Sequence, residues 1–550
     1  MHTRLLPFTL LISFIAGLCL PAAALAQQSS SACSHLTSLT LSGAQITDAS
    51  VVAAGAFLPP DPTGAKVSPQ DAATFKAVPS FCRVRITATP TPDSDIHIEV
   101  WLPLTRSAWN GKFRGQGNGG FAGSFYYSLM GLSVAQGYAT AGTDTGHAAE
   151  GTDASWALHH PEKIADFGYR AVHLMTLRAK DVIAAFYGQQ PAHSYFASCS
   201  DGGREALMEA QRFPADYDGI LAGAPAYLWS NLLTAGMSKT KAMLLEPDSY
   251  IPPEKIPLIS KAVLNACDAH DGLKDGILND PRTCRFDPET LLCKGSETNA
   301  CLTRPQVSVL KTLYAPTLDG GGNLIYPPTM PGGELGPGGW ASWIYGDKPG
   351  HSLGVAFGVN YFANMVYDDP HWDWKSFTLD KAIVDATRKT ALDLNASDPD
   401  LRPFAARGGK LILYHGWNDP AISPLSTIQY YESVRKVDPA YASYVRLFLV
   451  PGMQHCMNGP GPSSFGQFGW APGTGPDDAQ HNLYRALEDW VNQGPAPDSV
   501  IAAKIDAESG AKPGITMTRP LCAYPEQAHY NGHGDPAQAS SFTCRNPVSH

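Results

Sequence analysis

Ser194-Tyr195-Phe196-Ala197-Ser198-Cys199-Ser200-Asp201-Gly202-Gly203-Arg204 is the stretch on which the reading of this chain turns. A short apolar run enters it, and the helix-like run Glu205-Ala206-Leu207-Met208-Glu209-Ala210-Gln211 leaves it. Between them sits Ser200, with Ser198 two residues before it and Gly202 two after. Small neighbours let a backbone turn sharply from strand to helix and hold a serine hydroxyl clear of the turn, the geometry of a nucleophile elbow. The usual pattern has glycine on both sides; here serine takes the upstream place.

A serine hydroxyl is a weak nucleophile and needs a histidine base, itself oriented by a carboxylate. Two later segments have the right form, each an apolar strand running into a polar turn. Lys410-Leu411-Ile412-Leu413-Tyr414-His415-Gly416-Trp417-Asn418-Asp419-Pro420 puts Asp419 just past a strand end. Arg446-Leu447-Phe448-Leu449-Val450-Pro451-Gly452-Met453-Gln454-His455-Cys456 does the same for His455. Taken singly, Asp419 is a turn residue and His455 a surface-loop histidine. Taken together, three strand-end residues in the order Ser, Asp, His follow the α/β-hydrolase fold, whose catalytic groups gather at the carboxyl ends of the strands. Cys199 precedes Ser200 and Cys456 follows His455, so a Ser200–His455 hydrogen bond brings the two sulfurs close enough for a disulfide.

Composition agrees with an exported, loop-rich enzyme. Of 550 residues, 44% are hydrophobic and only 16% charged, with 52 glycines and 45 prolines. The net charge of -10 argues against nucleic acid or an anionic membrane as partner. Residues 1–26 read as a signal peptide: Arg4, an apolar run from Leu5 to Leu20, and a small-x-small cleavage site at Ala24-Leu25-Ala26. No later stretch reaches the length of a membrane span, so the mature chain is expected to be secreted or periplasmic. Beyond Cys19, the cysteines Cys33, Cys82, Cys199, Cys267, Cys284, Cys293, Cys301, Cys456, Cys522 and Cys544 are even in number, which suits disulfides in an oxidising compartment. The absence of any C-x-x-C pair argues against structural zinc or a thioredoxin-type centre.

These residues resemble the tannase and feruloyl esterase family of α/β-hydrolases, which includes the hydrolase of mono(2-hydroxyethyl) terephthalate. The likeness covers nearly all of the mature chain. It rests on Cys199-Ser200-x-Gly-Gly, the Asp419 strand end and His455-Cys456, with Trp109-Asn110-Gly111-Lys112-Phe113 and Arg519-Pro520-Leu521-Cys522-x-Tyr524-Pro525 besides. It implies Ser200 as nucleophile, His455 as base and Asp419 as the orienting carboxylate. It implies five bridges, Cys33–Cys82, Cys199–Cys456, Cys267–Cys284, Cys293–Cys301 and Cys522–Cys544. It also implies an oxyanion hole from the backbone N–H groups of Asp201 and of Gly120, in the flexible turn Gly117-Asn118-Gly119-Gly120. Read without the resemblance, that glycine cluster is an ordinary turn.

Between Cys267 and Asp280, Asp268, Asp271 and Asp275 are separated by glycines and can turn oxygens toward a hard cation. The spacing departs from an EF-hand and lacks its final glutamate, and a solvated acidic turn fits equally well. The resemblance matches the three aspartates as side-chain ligands and Leu273 and Ile277 as carbonyl donors of a structural Ca2+.

The expected architecture is an α/β-hydrolase fold with a large inserted lid: 35–227 and 405–545 form the catalytic domain, and 228–404 the lid with the calcium-type loop. Trp340, Trp343, Tyr345, Tyr361, Phe362, Trp372 and Trp374 concentrate in the lid. Most read as its own core, with one or two left to line a pocket on which a substrate ring could stack. Arg388 and Lys375 read first as solvated cations and second as carboxylate partners. Asp144 and His147 read as loop-ordering groups. The expected function is a serine carboxylesterase acting on small aromatic esters, feruloyl or hydroxycinnamoyl esters first, with galloyl esters or a terephthalate half-ester as alternatives. Peptidase or acyltransferase chemistry on the same scaffold, or a non-catalytic binding protein, are the rivals.

Overall fold

The computed structural model describes residues 30–60, 67–468, 476–506 and 514–547; the expected signal peptide, 1–26, lies outside them. Nine strands form one mixed sheet: β1 (Ala44–Val52), β2 (Phe81–Ala88), β3 (Ile96–Pro103), β4 (Lys112–Gln116), β5 (Ala139–Thr143), β6 (His193–Cys199), β7 (Gly219–Gly223), β8 (Lys410–Gly416) and β9 (Val445–Val450). Their spatial order is β1-β2-β3-β5-β4-β6-β7-β8-β9. Antiparallel pairing joins β1, β2, β3 and β5. From β5 onward every pairing is parallel.

The parallel strands are buried on both faces, and their side chains alternate between two separate cores. Phe196, Ile220, Ala222, Leu411 and Leu413 face one core, with Met175, Val182, Leu207 and Val434 from three helices: α1 (Ala171–Tyr187), α2 (Asp201–Arg212) and α6 (Pro424–Val437). Tyr195, Ala197, Leu221, Ile412 and Tyr414 face the other, with Leu487 and Trp490 of α7 (Leu483–Val491). A hairpin of β10 (Ser499–Asp506) and β11 (Gly514–Cys522) completes that side. The α/β-hydrolase arrangement expected from the chain order of Ser200, Asp419 and His455 is thus the one observed.

The motif Trp109-Asn110-Gly111-Lys112-Phe113 opens β4. Trp109 stacks on Tyr187 with ring centroids 4.1 Å apart, and its indole N–H donates to the Lys112 carbonyl. The closing motif works through Arg519, whose buried guanidinium donates to Asp275 at 2.7 Å and ties β11 to the acidic loop.

Between Gly223 and Lys410 the chain leaves the sheet and builds a helical layer beside the strand ends. Its helices include α3 (Trp229–Leu244), α4 (Leu353–Asn360) and α5 (Leu379–Leu394). Two small cores hold it. One gathers Trp229, Met237, Tyr361, Phe362 and Phe377 with Phe121 and Phe167 of the catalytic part. The other gathers Ile259, Val263, Leu310, Trp340 and Tyr345. The five disulfides have the pairing that the family resemblance implied.

Close packing of β6, α2 and β7 makes Gly203 a test of this geometry. A Cβ there would sit 2.3 Å from the Gly223 carbonyl oxygen and 2.9 Å from Pro225 Cα, both backbone atoms. Gly203→Ala should destabilise the protein by about 1–3 kcal/mol through overpacking. The expected readout is a lower denaturation midpoint with little change in m-value.

Candidate active site

Ser200 lies between β6 and α2 with φ 68° and ψ -122°, a conformation that few non-glycine residues adopt. The turn is tight enough that a Cβ on Gly202 would lie 1.9 Å from Ser198 Oγ. Ser198, where glycine is usual, therefore fits only because its partner across the elbow is glycine. The Ser200 backbone N–H donates to the Gly223 carbonyl (3.0 Å), fixing the elbow to β7.

His455 and Asp419 come from the loops after β9 and β8. His455 Nδ1 lies 2.8 Å from Asp419 Oδ2, and Nε2 lies 2.8 Å from Ser200 Oγ. A carboxylate can only accept, so Nδ1 carries the proton and Nε2 is left to accept from the serine. The three residues expected from the sequence are brought into one hydrogen-bonded chain. The Cys199–Cys456 bridge, with Cα atoms 6.0 Å apart, clamps the residues next to the serine and the histidine.

A second histidine, given no role by the sequence reading, completes the carboxylate's surroundings. His415 is fully buried in β8. Its Nε2 donates to both Asp419 Oδ2 (3.1 Å) and the Ile422 carbonyl (3.0 Å), while Nδ1 accepts from Thr427 Oγ1 (2.7 Å). Asp419 Oδ1 accepts from the backbone N–H groups of Ala421 and Ile422. Burial by itself would raise the Asp419 carboxyl. Attraction to His455 and the hydrogen bonds from His415 and His455 outweigh it and hold the group well below the ordinary carboxylate range.

The turn 117–120, expected to be flexible, is instead pinned. The Asn118 backbone N–H donates to Glu205 of α2 (2.9 Å), and its side-chain amide donates to the carbonyls of Ser124 and Thr143. The Asn118 carbonyl in turn accepts from Gly202 N–H (3.0 Å). Gly120 has φ 61°, and a Cβ there would lie 2.3 Å from the Gly151 carbonyl oxygen. Gly120 and Asp201 both line the cavity that holds Ser200 and His455. Among the described residues, neither backbone N–H donates to a protein acceptor.

The cavity has a volume of about 150 Å³. An engineered apolar void of about that size accepts a benzene ring. Trp229, Leu232, Trp343, Phe357 and Ile422 are among its walls. Trp343 presents an edge-on contact to His455 (centroids 4.8 Å, 72°) and stacks on Phe357 (6.1 Å, 11°). Of the aromatics singled out from the sequence between 340 and 374, Trp343 is the one that lines this cavity; Trp340, Tyr345, Tyr361 and Phe362 are buried in the two small cores described above. Arg388 and Lys375 do not line it: Arg388 pairs with Asp385, and Lys375 lies beside the Trp374 ring.

The acidic loop carries the carboxylates of Asp268, Asp271 and Asp275, each bonded within the structure. Asp268 accepts from Gly276 N–H, and Asp271 from Leu273 and Asn279 N–H. Burial, with repulsion from Asp275 added, raises both carboxyls, that of Asp271 to about 6. Among the described residues, one group of His, Asp and Glu gathers its ligand atoms within 4.8 Å of one another, and it is elsewhere: His173, Glu209 and Asp216. His173 Nδ1 lies 2.6 Å from Asp216 there, and burial together with Asp216 raises the Glu209 carboxyl.

The tannase and feruloyl esterase family model matches residues 82–545. The chain belongs to this family. It is 40% identical over 539 residues to an uncharacterized esterase of Xanthomonas campestris pv. campestris, covering 94% of this chain and 91% of that protein. It is 32% identical over 477 residues to a probable feruloyl esterase B-1 of Aspergillus oryzae, covering 84% of each. The solved feruloyl esterase B of Aspergillus oryzae superposes with a TM-score of 0.83 at 30% identity, over 94% of this chain and all of that one. Like its relatives, the protein is a carboxylic ester hydrolase.

Asp144 and His147 order the loop after β5. Asp144 takes the backbone N–H groups of His97 and Gly146. His147 donates from Nε2 to the Phe121 carbonyl (2.8 Å) and stacks on Trp156. Burial, with repulsion from Lys163 added, outweighs the Phe121 and Thr145 carbonyls and lowers the group to about 4. A folded-state pKa below the unfolded value of 6.5 gives stability that is complete above pH 6.5 and lost as pH falls toward 4. The loss attributable to this group is on the order of 3 kcal/mol. Denaturant titrations should show a shallower decline over that window in His147→Gln than in the wild type.

Proposed function

We propose that the protein hydrolyses esters of aromatic acids through an acyl-enzyme formed on Ser200, with feruloyl-type esters the leading natural class. The observation that carries this is the Ser200–His455–Asp419 chain opening into a ring-sized cavity walled by Trp229, Trp343 and Phe357. His455 Nε2 takes the proton as Ser200 Oγ attacks the ester carbonyl. The negative charge that develops on the carbonyl oxygen is met by the N–H groups of Gly120 and Asp201, donors worth roughly 3–4 kcal/mol each in comparable sites. His455 then protonates the departing alkoxide, and a water activated by the same nitrogen releases the acid. Asp419, fixed from both sides by His415 and His455, keeps Nδ1 protonated throughout. The feruloyl esterase B relatives support the acyl group, and the five disulfides support an exported protein in an oxidising compartment.

On methyl ferulate, Ser200→Ala and His455→Ala should each lower kcat by at least about 10⁴-fold, and Asp419→Asn by about 10⁴-fold. Circular dichroism should show the fold retained. Aryl-ester turnover that survives in either of the first two variants rules the triad out.

The acidic loop is proposed as a structural Ca2+ site, with the carboxylates of Asp268, Asp271 and Asp275 and the carbonyls of Leu273 and Ile277 as ligands. Support comes from the all-oxygen donor set and from the mutual repulsion that a cation would relieve. Arg519 already neutralises part of Asp275. Calcium at a hundredfold excess over its Kd should stabilise the protein by about 2.7 kcal/mol, an effect absent in Asp271→Asn. A Tm indifferent to millimolar calcium and to chelator would dispose of the site.

A further inference from the structure

The substrate cavity holds one lysine, Lys239, on the face of α3 that also supplies Leu232, Ala235 and Gly236 to its wall. Its Nζ lies 3.0 Å from Thr329 Oγ1, another wall residue. An ammonium has three N–H donors, and this is the single hydrogen bond it makes among the described residues. No carboxylate of the described residues forms an ion pair with it, and no neighbouring charge perturbs it. The other acidic or basic side chains in the wall are spoken for: Asp201 is bound to Arg204 (2.6 Å), and His455 belongs to the triad.

We infer that Lys239 and Thr329 form an anion subsite that binds an ionised carboxylate carried by the substrate itself, so that among esters of aromatic acids those bearing a free carboxylate on either the acyl or the alcohol part are favoured over their neutral counterparts. The deduction rests on the cavity being the ester-binding pocket of the proposed function. An unpaired cation against apolar walls is costly, and the cost is recovered when a full negative charge arrives. A carboxylate meets the need better than a neutral phenol, because hydrogen bonds between charged partners are roughly twice as strong. Thr329 adds a second contact: its hydroxyl accepts from Lys239 and keeps its own proton for the carboxylate's other oxygen. Burial alone lowers the lysine to about 8, so it remains mostly charged at neutral pH.

A ring-matched pair of substrates, monomethyl and dimethyl terephthalate, reads the subsite directly. The wild type should show a higher kcat/KM on the half-ester. Lys239→Met should lower the half-ester to diester ratio of kcat/KM tenfold or more, mainly through the half-ester KM, and Lys239→Arg should keep most of the preference. Lys239→Gln, checked for labelling of Ser200 by a fluorophosphonate, guards against a misfolded variant. A ratio unmoved by loss of the lysine, or a wild type that prefers the diester, would overturn the subsite. Absence of turnover on both esters would count against the esterase reading instead. Calorimetric binding of terephthalate then decides the subsite alone: affinity weakened tenfold in Lys239→Met supports it, and equal affinity in both proteins overturns it.

Discussion

The imidazole of His455 is the point on which the structure depends. It must face a carboxylate at one nitrogen and a hydroxyl at the other, both at 2.8 Å, across 255 residues of chain on one side. An imidazole on a loop has no reason to stay there by itself. The Cys199–Cys456 bridge removes that freedom by joining the residue before the serine to the residue after the histidine. A disulfide closing so long a loop contributes several kcal/mol in the chain-entropy model. Its larger consequence here is positional, because it restrains the two reacting side chains relative to each other.

The rest of the site follows from backbone atoms held close together. Gly416 ends β8 where a Cβ would lie 2.3 Å from the Met453 carbonyl oxygen, so the Asp419 and His455 loops can approach. Gly202 and Ser198 pack across the elbow, and Asn118 ties the Gly120 turn to α2. The N–H groups of Gly120 and Asp201 are therefore set in place before any substrate arrives. In the proposed reaction, donors preorganised in this way would avoid reorganisation as charge develops on the carbonyl oxygen. The buried carboxylates beneath them are kept tolerable by specific partners, Arg204 for Asp201 and the Asn118 N–H for Glu205.

What could be read from the sequence were features with a fixed local grammar. Ser200 announced itself through small neighbours between a strand and a helix, and Asp419 and His455 by following apolar runs in the right order. The disulfide beside the triad could be reasoned from the proximity that the triad demands, whereas the other four pairings came only through family likeness. His415 was hidden because a histidine inside a strand looks like any core residue until its neighbours are known. Lys239 lies in Ser238-Lys239-Thr240-Lys241, a polar run with the composition of a solvated helix face. It lines a cavity because the helical segment between Gly223 and Lys410 packs against the strand ends, a tertiary event with no local signature. The same packing selects Trp343 from seven aromatics that composition could not tell apart.

Mass spectrometry of the fluorophosphonate-treated, unreduced protein interrogates the central cluster most directly. The expected result is a single adduct on Ser200, within a peptide still joined through Cys199 to the peptide of Cys456. Modification of a different serine, or free thiols at 199 and 456 in the active protein, would contradict it.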